Sequence, residues 1–190
     1  MQERLTILGV SGSLREHSFN RALIKAAAQV APDHIDVKMA LLHDIPFYNA
    51  DVEAKGIPAP VQEFKQAIAE ADGVLFATPQ YNRSVPGVLK NAIDWASRPA
   101  FQGPLAGKPC AIVGATPGKS ATAVAREHLE IVLDSCRAEV MEDPQIGLIN
   151  AKDHIEDGVV TSEEVRANIR RILETFAGFV ADQQVAAAAD

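Results

Sequence analysis

Two kinds of apolar pattern alternate along the chain. The runs "RLTILGV" (4–10), "GVLFAT" (73–78) and "KPCAIVG" (108–114) are apolar almost without interruption, the pattern of strands buried on both faces. "IDVKMA" (35–40) and "AEVME" (138–142) read as two further strands. Between and after them lie helix-period segments at about 19–31, 60–71, 86–97, 120–136 and 161–182. Val61, Phe64, Ile68 and Ala71 fall on one face of the second, which therefore needs a sheet to pack on. The last opens at "TSEE", where Thr161 or Ser162 can cap it. It carries Val165, Ile169, Ile172, Leu173, Phe176 and Val180 as a buried stripe, and the tail from about 183 to 190 is expected to fray.

This order predicts one α/β domain over residues 1–190, a doubly wound, five-stranded parallel sheet in the order 2-1-3-4-5 with helices on both faces. Such a sheet binds ligands over the carboxyl ends of the first and third strands, where the winding direction reverses. The loops after those strands are thus the first places to look for chemistry. The stretch 41–59 is long for a strand-to-helix link, which also suggests a functional loop.

After the first strand comes "SGSLREHSFN" (11–20). A turn that opens a helix presents unpaired N–H groups and the positive end of the helix dipole. Ser11, Ser13 and Ser18 add hydroxyls, Arg15 a fixed cation and Asn20 an amide, while Gly12 lets the backbone come close. These parts suit a terminal phosphate monoester, although Ser18 also suits a helix cap. The stretch is no dinucleotide fingerprint, because G-x-G-x-x-G is missing.

After the third strand, "ATPQYNRSVPG" (77–87) combines stiffening Pro79 and Pro86 with the flat face of Tyr81 and the polar groups of Gln80, Asn82 and Ser84. It could clasp a planar, hydrogen-bonding ring. "GATPGKS" (114–120) resembles a triphosphate loop but has three residues, not four, between Gly114 and Gly118. It reads instead as a third loop at the same crevice.

Composition narrows the field. Of 190 residues 47% are hydrophobic and 23% charged, and the net charge is −7, so the chain is expected to be soluble and not to grip a nucleic-acid backbone. No apolar stretch approaches membrane-spanning length and "MQERLTILGVSGS" lacks a secretion-signal core, so a cytoplasmic protein without membrane contact is expected. Cys110, inside a strand, and Cys136, at a helix end, read as core thiols. His17, His34, His43, His128 and His154 have no metal-site spacing, and no metal is expected. Lys90 and Asp94 read as a helix-surface pair and Trp95 as packing.

Taken together, "GSLREHSFN" (12–20), "PQYNRSVPGVLKNAIDWASRP" (79–99) and "ATPG" (115–118), with "IPFYNAD" (45–51), resemble the NADPH-dependent FMN reductase family, a flavodoxin-like group that includes quinone and chromate reductases. The resemblance spans about residues 4–180. It implies that Ser11, Ser13, Arg15, Ser18 and Asn20 hold the FMN phosphate, that Pro79, Gln80, Tyr81, Asn82 and Ser84 line the ribityl chain and flavin, and that Thr116 approaches the ring. It also implies a homodimer or homotetramer with the flavin near the subunit boundary.

The chain departs from the family pattern at several positions. Gln80 replaces the usual glutamate, and Ala121, Thr122, Val124 and Arg126 stand where the family commonly has two glycines, an arginine and a glutamine. The departures bear on the nicotinamide preference, for which Lys119 and Arg126 are candidate 2′-phosphate contacts, and on tetramer contacts.

The expected reaction is ping-pong: hydride passes from NADPH or NADH to FMN, then to a quinone, flavin or other small oxidant, with no side chain needed as acid or base. Backbone N–H groups at 80–84 are expected to stabilise charge on the reduced ring. The rival is a flavodoxin-type electron carrier that binds FMN without oxidising nicotinamide. A receiver domain on the same sheet would need acids where this chain has serines and "TPQYN".

Overall fold

The computed structural model describes residues 4–189. Strands β1 (Leu5–Ser11), β2 (Ile35–Ala40), β3 (Gly73–Ala77), β4 (Pro109–Ala115) and β5 (Glu139–Val140) form a parallel sheet in the order β2-β1-β3-β4-β5. The central strands β3 and β4 are buried along their whole length, which explains their unbroken apolar runs. The fold is flavodoxin-like, as expected.

Helices cover both faces. On one, α1 (Phe19–Val30) and α6 (Glu163–Ala189) bring Leu23, Ala27, Ile169, Leu173 and Phe176 onto Ile7, Leu75 and Val113. On the other, α3 (Ala59–Glu70), α4 (Gly87–Ala96) and α5 (Ala123–Ser135) bring Phe64, Ile68, Leu89, Ile93, Leu129 and Leu133 onto Val10, Phe76 and Ile112. Trp95 is buried and Lys90 pairs with Asp94 at 2.6 Å. Cys110 is buried and Cys136 half-buried, both free thiols.

Four boundaries differ from the sequence expectation. The fifth strand, expected over 138–142, is split: β5 pairs with the start of β4, and β6 (Ile146–Leu148) resumes beside Val113–Ala115. Between them the polar run "EDPQ" leaves the sheet at Asp143–Pro144, since proline cannot donate to a ladder. Second, the helix expected from 120 begins at Ala123, because Ala121 and Thr122 sit at φ of 51° and 54° in the left-handed region. Third, α6 runs on to Ala189 through the segment expected to fray, of which Asp190 lies outside the described residues, as suits alanine, the strongest helix former. Fourth, the long link 41–59 contains the short helix α2 (Ala50–Glu53), capped by the Asn49 side chain.

A 3-10 turn (Ala151–Asp153) and a hairpin of β7 (Ile155–Glu156) and β8 (Val159–Val160) were not foreseen. Asp157 and Gly158 make the turn, both with positive φ, and Gly158 lies close to His17 beside the first crevice loop. No helix among the described residues is long and apolar enough to cross a membrane.

Candidate active site

The sheet ladder carries the crevice loops into one assembly. Past the strand ends, Gly12 N–H donates to Ala77 O and Thr78 N–H to Val113 O, each at 2.9 Å. Gly12 is packed so closely that a Cβ there would meet Leu89 at 3.0 Å and Pro79 at 3.3 Å. That contact brings the loop after β1 against the loop after β3.

In the first loop the hydroxyls of Ser11, Ser13 and Ser18 are buried, and each accepts a backbone N–H: from Ser13 at 3.4 Å, Arg15 at 3.4 Å and Arg21 at 3.3 Å. A hydroxyl that has accepted still has its proton to donate. Three buried O–H donors are therefore left beside the N–H groups of Leu14, Glu16, His17, Ser18 and Phe19, which find no acceptor among the described residues. Donors without acceptors, at a helix N-terminus with no acid in its first turn, fit a phosphate dianion. Arg15 is exposed on the rim and makes no ion pair among the described residues. Ser18 is cap and donor at once, so both readings of it hold together.

Asn20 has a different position. Its amide is buried and turned toward β4, donating from Nδ2 to Ala115 O at 3.0 Å and accepting at Oδ1 from Ala115 N at 2.8 Å. The carboxamide thus clamps the first loop to the third, and its second Nδ2–H is left for the phosphate contact expected of this residue.

The loop after β3 is a tight turn. Tyr81 and Ser84 exchange N–H to O bonds of 3.2 and 3.0 Å across Asn82 and Arg83, both at positive φ. This pair of left-handed residues makes a type I′ geometry. The N–H groups of Tyr81 and Ser84 are consumed by it, so of the amides expected to face reduced flavin only those of Gln80, Asn82 and Arg83 are left without acceptors among the described residues. Pro79 is buried, Tyr81 is half-exposed, and Asn82 is exposed at the tip.

Both ends of this turn are tied to α5. Gln80 Oε1 accepts from Ala125 N at 3.3 Å and Ser84 Oγ lies 3.1 Å from His128 Nδ1. The first contact caps a helix whose own N-cap, Thr122, supplies no side-chain bond. The Thr122 hydroxyl is buried with no partner, directly over Gly114. His128 was not singled out in the sequence, and only its "HLE" setting one turn into a helix could have drawn notice.

In the third loop Thr116 is half-buried, its hydroxyl accepting from Gly118 N at 3.2 Å, while its backbone pairs with Leu148 O and Ala151 N. Lys119 is exposed. Arg126 turns toward the split edge and donates to Gln145 at 2.7 Å, and burial lowers its pKa.

The loop after β2 closes the fourth side. Asn91 and Trp95 both donate to Pro46 O, at 2.9 and 2.8 Å, Asn91 also accepts from Tyr48 N, and His43 Nε2 lies 3.1 Å from Leu14 O. Tyr48 packs edge-on to Trp95, and Glu53, accepting from its hydroxyl, raises its pKa. Phe47, between these anchors, is 85% exposed.

The match to the family described as NADPH-dependent FMN reductase extends over residues 5–153, and the chain belongs to that family. It is 41% identical over 175 residues to an NAD(P)H-dependent FMN reductase of Pseudomonas aeruginosa, covering 92% of this chain and 94% of that protein. It is 40% identical over 182 residues to a 2-hydroxy-1,4-benzoquinone reductase of Burkholderia, covering 95% and 99%. The solved structure of the flavoenzyme NAD(P)H:(acceptor) oxidoreductase FerB from Paracoccus denitrificans superposes with a TM-score of 0.84 at 34% identity, covering 94% of this chain and 98% of that one.

Proposed function

We propose that this protein is an FMN-dependent NAD(P)H oxidoreductase that passes reducing equivalents to a quinone, a flavin or another small oxidant by a ping-pong mechanism. The observation that carries the reading is the set of three buried serine hydroxyls, each accepting one backbone N–H and still holding a proton to donate. Such a set, beside N–H groups that find no acceptor among the described residues, suits phosphate oxygens.

Bound FMN would supply hydride acceptance from nicotinamide and reduction of the second substrate. Ser11, Ser13 and Ser18, with the N–H groups of 14 and 16–19, would hold its phosphate, and Arg15 would add charge from the rim. Pro79, Tyr81, Asn82 and Thr116 would border the ribityl chain and ring, with Gln80 and Ser84 fixing that border to α5. The amides of Gln80, Asn82 and Arg83 are free to donate to charge that builds on the ring.

In this reading the whole chain is one FMN domain acting in the cytoplasm as a homodimer or homotetramer. Free thiols and acidity support the first statement, and the exposed Phe47, Tyr81 and Ile131 support the second. Sedimentation velocity of the holoprotein distinguishes the assemblies.

The decisive experiment is an anaerobic visible spectrum after FMN loading and removal of excess, followed by NADPH or NADH and then a benzoquinone. Retained flavin that bleaches with nucleotide and recovers with quinone is expected. Retention without bleaching would identify an electron carrier, and no retention would remove the cofactor assignment.

A further inference from the structure

Resting on that reading, we infer that His128 is the proton source for the oxidative half of the reaction, acting through the hydroxyl of Ser84. Two-electron reduction of a quinone to a hydroquinone takes one hydride and one proton. The nicotinamide supplies the hydride equivalent, and the proton must reach the second quinone oxygen separately. The crevice loops hold several groups that carry a proton, among them His17, His43, Tyr48, Tyr81 and Lys119, and of the histidines only His128 is hydrogen-bonded to a side chain of the turn at 80–84 among the described residues. Ser84 Oγ lies 3.1 Å from Nδ1 of His128.

The direction of that hydrogen bond depends on the imidazole. When Nδ1 is bare, the Ser84 hydroxyl donates to it and has no proton to offer elsewhere. When the ring is an imidazolium, Nδ1–H donates to Ser84 Oγ, and the serine proton is free for a ligand oxygen. In the step, the Ser84 O–H bond breaks as an O–H bond forms on the quinone oxygen. The Nδ1–H bond of His128 breaks as Ser84 regains its proton. His128 is exposed on α5, so the ring is recharged by solvent without opening the crevice.

Two features hold the pair in register. Ser84 is fixed by its two-way backbone pairing with Tyr81. Gln80 ties the other end of the turn to Ala125, one turn before His128 on the same helix. The charged residues nearest the pair in sequence are Arg83 on the turn and Arg126, Glu127 and Glu130 on α5.

The test separates the two half-reactions of the FMN-loaded protein by anaerobic stopped flow, in the wild type and in His128→Asn, whose amide can keep the contact to Ser84 but cannot titrate. The ratio of quinone reduction rate to nicotinamide-driven bleaching rate should fall roughly tenfold or more in the variant. The ionisation in the pH profile of the quinone step should vanish with it, and Ser84→Ala should match it while Ser84→Thr restores the rate. Independently of activity, NMR of the imidazole in the flavin-free protein should show the His128 titration midpoint moving in Ser84→Ala. An unchanged rate ratio and pH profile, or an unmoved midpoint, overturns the relay. Failure of nicotinamide to bleach the wild type overturns the functional reading, and the relay with it.

Discussion

Asn20 and Ala115, 95 residues apart in the chain, exchange two hydrogen bonds through one buried carboxamide, at 3.0 and 2.8 Å. The first residue stands at the start of α1 and the second ends β4, so this single side chain fixes the phosphate loop relative to the loop that carries Thr116. Asn20→Ala would leave a buried N–H and a buried C=O unpaired, at about 1–3 kcal/mol for each group. We expect a lower urea midpoint and weaker FMN retention together. Asn20→Asp keeps the bond from Ala115 N but sets a carboxylate against Ala115 O, and should be no less damaging.

The cradle should discriminate by phosphate. FMN and riboflavin share ring and ribityl chain and differ only in the phosphate that we propose Ser11, Ser13 and Ser18 hold. Fluorescence titration should give far tighter binding of FMN in the wild type. In the Ser11→Ala, Ser13→Ala double variant the gap should narrow, each lost hydrogen bond to a charged oxygen being worth about 1.5–3 kcal/mol. Ser18→Ala should also lower the stability of the flavin-free protein by about 1 kcal/mol, because it removes the bond to Arg21 N that caps α1.

The entry to α5 carries backbone strain. Ala121 and Thr122 occupy left-handed backbone at φ of 51° and 54°, where an L-residue pays about 1–2 kcal/mol relative to ordinary helical backbone. Ala121→Gly should therefore raise the thermal midpoint, by about 1 kcal/mol or less once the greater freedom of glycine in the unfolded chain is counted. Gly147→Ala should act in the opposite sense. Its Cβ would stand 2.1 Å from Ala121 O, a main-chain atom that cannot rotate away. Overpacking of this kind costs about 1–3 kcal/mol, and it would push the α5 entry off the sheet.

What could be read from sequence followed from how completely the local pattern decides the structure. β1, β3 and β4 have buried neighbours on both faces, so their apolar runs needed no context, and the loops after them were placed by topology alone. The edge was less legible: β5 and β6 are two and three residues long, and pairing with β4 sets them, not a hydrophobic period. The hairpin at 155–160 was readable in principle, since Asp157–Gly158 between Ile155 and Val160 is a favoured two-residue turn. The residue types of the phosphate loop announced its donors. The direction of Asn20 did not show, because its partner is a main-chain group with no identity in the sequence. The backbone of Asn82–Arg83 was equally hidden, as arginine is an unusual occupant of left-handed geometry.

Alkaline pH supplies a last test, through the thiols. Burial in the core pushes the Cys110 thiol far above its ordinary range, and partial burial raises Cys136 in the same direction. An unfolded cysteine titrates near about 8.5. Below that pH both states hold neutral thiols and stability does not depend on them. As pH rises past it the unfolded chain gives up protons that the folded chain keeps, so unfolding is favoured, by up to about 1.4 kcal/mol per pH unit for Cys110. Lys108 works against this nearer its own range, since burial lowers its pKa and the folded state then loses that proton first. The decline should thus set in near about pH 8.5, be blunted while folded Lys108 has lost its proton and the unfolded lysine has not, and run at full slope above about pH 10.5. Urea titrations across that range should show it in the wild type, and Cys110→Ala should flatten most of it while lowering stability at pH 7 through the lost packing. An equally steep decline in Cys110→Ala would mean that another group sets the alkaline limit.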